Sequence, residues 1–138
     1  TLAKWLRIYG FDTYFANSEI DDNKLLEISE KEKRVLITRD KELAFRAKSR
    51  NLEFILLSSI DLDEQLKVVL KNYKINKDLF LTRCLLCNNK LIDIKKEEVI
   101  DKVPSRVFEN NDDFFYCNKC KKIYWKGTHY ENMINKIS

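Results

Sequence analysis

Two short cysteine pairs constrain this chain more than any other feature: Cys84-Leu-Leu-Cys87 and Cys117-Asn-Lys-Cys120. In a C-x₂-C spacing both thiolates of a pair can face one ion across a tight turn. Two such pairs close a tetrahedral shell with Zn–S distances of about 2.3 Å. Residues 88–116 make a somewhat longer gap than usual, but they have room for a hairpin. Two disulfides would be the alternative in an oxidising compartment. A redox C-x-x-C normally occurs singly, on a thioredoxin-like fold. The spacing therefore predicts a structural Zn²⁺ held by Cys84, Cys87, Cys117 and Cys120. Four thiolates leave no open coordination position, so this zinc is not expected to do chemistry. The chain's one histidine, His129, is then unnecessary as a ligand and is left as a polar contact.

The cysteine-free stretch before these pairs has a different rhythm. Leu2, Trp5, Leu6 and Tyr9 fall at helical spacing and end at Gly10, a common helix stop. The chain opens inside this pattern, without Met and without a cap, which predicts that further residues precede Thr1. Phe11-Asp12-Thr13-Tyr14-Phe15-Ala16 is aromatic and β-branched and reads as a short strand. Asp21 and Asp22 then lead into a helix carrying Leu25, Leu26 and Ile28, with Lys31 and Lys33 at the end that suits cations. Residues 35–38 read as a strand, 41–49 as a helix and 54–57 as a third apolar strand. A helix follows from Asp61 or Asp63 through Leu66, Val69 and Tyr73. Helices alternating with strands argue an α/β fold, a parallel sheet flanked by helices. Residues 74–80 form the junction, and Thr128 is placed as the cap of a terminal helix. The boundaries drawn are 1–79 for the α/β domain and 80–138 for a zinc ribbon with a terminal helix.

Composition narrows the function classes. Two Gly and one Pro in 138 residues, with no GxGxxG or GxxxxGK[ST] pattern, argue against nucleotide-cofactor chemistry of those kinds. The net charge of +4 is a mild bias toward anionic partners. No apolar run approaches bilayer-spanning length and no signal-peptide pattern is present, so no membrane partner and a cytoplasmic location are expected.

The segments AKWLRIYGFDT, IDDNKLLEIS and VLITRDKEL precede the two cysteine pairs, with DKVPSRVFE between the pairs and YWKGTHYE after them. In this order they resemble the mut-seven C-terminal RNase domain family, a PIN-like nuclease domain fused to a zinc ribbon. The resemblance implies a metal-dependent ribonuclease with acids at the C-terminal edge of a PIN-like parallel sheet. Asp40 matches one family acid, and Asp22, or its neighbour Asp21, matches another. Two such carboxylates can hold Mg²⁺ or Mn²⁺, which activates a water and offsets charge on the scissile phosphate. Family members carry a further Asp at the end of an initial strand just upstream of the opening helix. No residue here occupies that position, so the α/β domain reads as N-terminally incomplete, its first strand missing.

RNA is the partner this reading implies. Lys4, Arg7, Arg39 and Arg46 are candidates for phosphate contacts near the acidic edge. Trp125, Lys126 and His129 lie just beyond the second cysteine pair, where an aromatic and a basic group can meet bases and phosphates. Trp125 reads equally well as ribbon core, and Trp5 as core of the first helix. The rival to the ribonuclease is a non-catalytic zinc-ribbon adaptor that binds RNA or protein.

Overall fold

The computed structural model describes residues 1–17 and 19–136, with the side chains of His129, Met133 and Ile134 outside the description. In chain order the elements are α1 (Leu2–Ile8), α2 (Asp22–Lys31), β1 (Leu36–Thr38), α3 (Lys41–Ser49), β2 (Phe54–Leu56) and α4 (Leu62–Asn72), then β3 (Ile92–Ile94), α5 (Ser105–Asn110), β4 (Phe114–Cys117), β5 (Lys122–Trp125) and α6 (Thr128–Lys136). Short 3₁₀ turns lie at Lys77–Leu79 and Lys96–Val99. Two compact units result. One is built from residues 14–75, with Thr1 and Leu2; the other joins residues 3–13 to those from Asn76 onward.

In the first unit β1 and β2 pair in parallel, Leu36 opposite Phe54, Ile37 opposite Ile55 and Thr38 opposite Leu56. Parallel neighbours cannot be joined by a tight turn, and α3 makes the crossover. Leu43 and Ala47 of α3, Leu26 of α2 and Leu36 of β1 bury one another, with Leu25, Leu52 and Phe54 against them. The stops are local: Lys33 after α2 and Asn51 after α3 both take left-handed φ angles, 54° and 59°. Three helices of this unit begin on aspartates. Asp21 accepts from Lys24 N–H, Asp40 from Glu42 and Leu43 N–H, and Asp61 from Glu64 N–H. Each satisfies first-turn donors that have no partner within the helix.

The parallel sheet is smaller than the sequence reading expected. Residues 11–16, read as a strand, have no regular structure. At Thr13 both backbone groups are engaged elsewhere. Thr13 N–H donates to Asn88 Oδ1 at 2.9 Å, and Thr13 C=O accepts from Arg7 Nε at 2.9 Å. A residue whose N–H and C=O are both held by side chains cannot join a ladder.

The second unit centres on a three-stranded antiparallel sheet in the order β3-β4-β5. Ile94 faces Phe114, and Phe114 faces Trp125. Helix α1, from Ala3 on, belongs to this unit rather than to the one built from residues 14–75. Trp5, Tyr9, Phe80 and Tyr130 follow one another at ring separations of 6.0, 5.4 and 6.3 Å. Leu6 and Tyr9 are buried, as are Phe80 and Leu81. Gly10 ends the helix at φ 91°, and a Cβ there would lie 2.3 Å from Leu79 C=O. Both the left-handed angle and the close approach exclude a side chain. Gly10→Ala is expected to destabilise this unit by about 2 kcal/mol or more. Urea unfolding followed by tryptophan fluorescence reads this directly, because the chain's two tryptophans, Trp5 and Trp125, both belong to this unit.

Candidate functional site

The two cysteine pairs sit on turns built alike. In the first, Asn88 N–H donates to Cys84 C=O at 2.9 Å; in the second, Lys121 N–H donates to Cys117 C=O at 2.8 Å. Asn88 and Lys121 each take a left-handed φ, 73° and 59°. The turn thus reverses the chain one residue after the second cysteine, leaving both sulfurs of a pair on its inner side. Cys84 and Cys117 are buried, and Cys87 and Cys120 half-buried. The four Sγ atoms all lie within 4.8 Å of one another, and no other set of three or more such ligand residues gathers among the described residues. Four sulfurs at about 2.3 Å from one ion would sit about 3.8 Å apart, and Cys87 Sγ and Cys117 Sγ are 3.5 Å apart. All four thiols are free rather than disulfide-bonded. The cluster can hold zinc.

The surroundings favour thiolate at Cys84. Tyr124, on β5, has its hydroxyl 3.1 Å from Cys84 Sγ and accepts from Leu85 N–H at 3.2 Å, which leaves its own proton available to the sulfur. Cys120 N–H points at Cys117 Sγ, 3.3 Å away. Burial works to raise the Cys84 thiol, but hydrogen bonds from Tyr124 and the Leu86 and Cys87 backbone outweigh it and lower it to about 6. Cys120 is pushed up to about 12, chiefly by its hydrogen bond with Cys87 and then by burial. Burial also raises Cys87, and sulfurs gathered this closely disfavour one another's charged forms. A cation offsets that repulsion.

Tyr124 went unnoticed in the sequence. Its signal is its position in the strand immediately after a C-x₂-C turn, where alternate side chains can face the cysteine cluster. Tyr124→Phe removes the hydroxyl from both Cys84 and Leu85, and is expected to weaken zinc affinity roughly 10- to 100-fold. Competition against a chromophoric chelator measures this, and an unchanged affinity would exclude a role for the hydroxyl.

The acidic candidates belong to the first unit. Because β1 and β2 are parallel, Asp40 and Asp61, which follow them, cap α3 and α4 at one edge of the pair. Helix α2 runs alongside α3 in the same sense: Asp22 lies 3.9 Å from Arg46, and Glu30 lies 4.0 Å from Arg50. Asp22 thus lies beside α3, and Asp21 caps the helix that Asp22 begins. Asp40 caps through Oδ1 alone, which leaves its second oxygen facing solvent. Asp22 has Arg46 as its partner, six residues and roughly 9 Å along the helix from Asp40. The same Arg46 also bonds Asn23.

The basic candidates divide. Lys4, Arg39 and Lys126 are exposed, and Lys126 Nζ lies 5.1 Å over the Tyr130 ring. Arg7 is a correction: read as a phosphate contact, it is 8% exposed. Its guanidinium bonds Thr13 C=O and, at 2.8 Å, Leu85 C=O, so it ties α1 to the first cysteine turn. Trp125 is half-buried, 6.4 Å from Phe114. The His129 side chain lies outside the described residues. Among the described residues no helix is long and apolar enough to cross a membrane.

Across residues 1–137 the chain matches the family model described as Mut7-C RNAse domain. The chain belongs to the Mut7-C RNAse domain family. No curated protein and no solved structure matches it. The match spans both units, so the cysteine cluster and the acid-capped helices are parts of one Mut7-C domain. The family's name carries a nuclease role with RNA as its substrate.

Proposed function

We propose that this Mut7-C domain is a metal-dependent ribonuclease that hydrolyses RNA phosphodiester bonds, its α/β half a PIN-like fold and its cysteine half a structural zinc ribbon. The family match over both units carries this reading. The acid-capped helices support it, because helix N-termini gathered at one edge favour a bound phosphate and Asp40 keeps one carboxylate oxygen free. In this reading Asp40 and Asp22, with Asp21 beside them, hold Mg²⁺ or Mn²⁺, which supplies an activated water and offsets phosphate charge when bound. Arg39 lies next to Asp40 and meets the phosphate backbone. Cys84, Cys87, Cys117 and Cys120 hold the zinc, which stiffens the unit that contacts RNA.

One observation favours the second reading, a non-catalytic RNA-binding adaptor. Arg46 already supplies the positive charge beside Asp22 that a metal would otherwise bring. The deciding experiment incubates full-length protein with single-stranded RNA and Mg²⁺ or Mn²⁺. Cleavage that requires the added metal supports the ribonuclease, whereas binding with no cleavage under any metal supports the adaptor.

A further inference from the structure

The two cysteine turns share a backbone but differ in what stands at the left-handed position closing each. In the second it is Lys121, which is exposed. In the first it is Asn88, half-buried, with each of its polar groups engaged. Its N–H donates to Cys84 C=O at 2.9 Å, and its C=O accepts from Arg83 Nη1 at 3.0 Å. Its side chain reaches away from the turn: Oδ1 accepts from Thr13 N–H at 2.9 Å, and Nδ2 donates to Asp12 Oδ1 at 2.6 Å. Asparagine suits a left-handed angle. That accounts for the residue type, but not for where both ends of its amide go.

A second side chain works in the opposite direction. Arg7, buried in the last turn of α1, donates from Nη1 to Leu85 C=O, inside the first cysteine pair, and from Nε to Thr13 C=O. The Leu85 backbone is thus held through both its groups, the N–H by Tyr124 and the C=O by Arg7. Thr13 is held in the same way, by Asn88 and Arg7. Arg83 closes the ring, 3.8 Å from Asp12. A metal ion holding Cys84 and Cys87 fixes the turn between them. Contacts that need both the turn and residues 12–13 in place are therefore linked to the metal, and the linkage is reciprocal. We infer that Asn88 and Arg7 are positioning residues that make the metal-bound turn the anchor of residues 11–13, so that zinc binding and the seating of this segment strengthen each other. This rests on the reading of the four cysteines as a zinc site. It adds a task for the metal beyond the ribbon's own strands: Thr13 is the last residue of this unit before the chain passes into the first unit at Tyr14, and its backbone is held from the cysteine turn.

Asn88→Gly isolates the amide, because glycine keeps the left-handed turn and deletes only the side chain. The protein is full-length and zinc-loaded, and amide hydrogen exchange is followed by NMR. Thr13 N–H is expected to exchange roughly tenfold faster in Asn88→Gly than in wild type, with the amides of β4 and β5 unchanged. Competition against a chromophoric chelator is expected to show zinc affinity lowered about tenfold. Asn88→Asp keeps an acceptor for Thr13 N–H and tolerates the same angle, with Arg83 beside it to offset the added charge. Slow exchange at Thr13 is expected to return in that variant.

Thr13 exchange unchanged in Asn88→Gly, exchange just as fast in Asn88→Asp, or an unaltered zinc affinity in Asn88→Gly would each overturn the inference. The readings beneath it fail separately. Protein that binds no zinc by elemental analysis removes the metal site and this inference together, whereas zinc bound with Thr13 indifferent to position 88 removes the inference alone. The ribonuclease stands or falls on cleavage with added Mg²⁺ or Mn²⁺, whatever Thr13 does.

Discussion

Protein purified without chelator is expected to carry one zinc per chain, and Cys84→Ser to lose it along with the fold of the cysteine unit. The reason lies in what else holds that unit. Its sheet is three short strands, and the core around the cluster consists of Cys84, Cys117 and Tyr124, with Leu85, Leu91 and Phe115 packed on them. Two of those core residues are the ligands themselves. Apparent zinc-binding free energies in small cysteine-rich domains run to about 10–16 kcal/mol, more than the about 5–15 kcal/mol net stability of a typical domain. Serine at position 84 leaves a buried hydroxyl against Tyr124 and three thiolates without a fourth partner. Elemental analysis gives the stoichiometry, and near-ultraviolet circular dichroism follows the ribbon through Trp5 and Trp125. Strong chelation should reproduce the mutant spectrum. Zinc-free protein with an intact near-ultraviolet signal would remove the metal from the account.

Asp40→Asn is expected to lower RNA cleavage by a factor on the order of 10² or more, with little change in melting temperature. The two halves of this expectation come from the two oxygens of one side chain. Oδ1 caps α3 by accepting from Glu42 and Leu43, and asparagine caps a helix about as well as aspartate. A divalent cation needs charged oxygen, so an amide loses several kcal/mol of metal-dependent stabilisation, and each 1.4 kcal/mol is tenfold in rate. Asp40→Ala should differ, costing about 1 kcal/mol of stability in addition to activity. Cleavage by Asp40→Asn at the wild-type rate would leave Asp40 a cap and nothing more.

The local features were readable because their causes are local. Lys41–Ser49 was read as a helix at those bounds, since Asp40 supplies the cap and Leu43, Ala44 and Ala47 the buried stripe. The cysteine spacing identified a cluster whose four sulfurs do converge. Residues 11–16 failed as a strand although their composition is right, because strand formation requires a neighbour with free backbone groups. Arg7 failed as a surface cation for a related reason: no property of the residue announces that two carbonyls, at Thr13 and Leu85, will take its guanidinium.

By itself, the sequence determined that Asp40 caps a helix and which four thiols share a site, and it narrowed two further caps to Asp21 or Asp22 and Asp61 or Asp63, because each depends on spacing within a few residues or on one strong ligand preference. Thr128, placed as a cap, is instead the first residue of α6. The tertiary structure alone decided that α1 packs with the cysteine unit, that Tyr124 places its hydroxyl beside Cys84, and that Asn88 takes the Thr13 N–H. These are contacts between residues up to 131 positions apart, as with Trp5 and Lys136. Periodicity along a chain shows which face of a helix is apolar, but the surface that covers that face is fixed only when the elements pack.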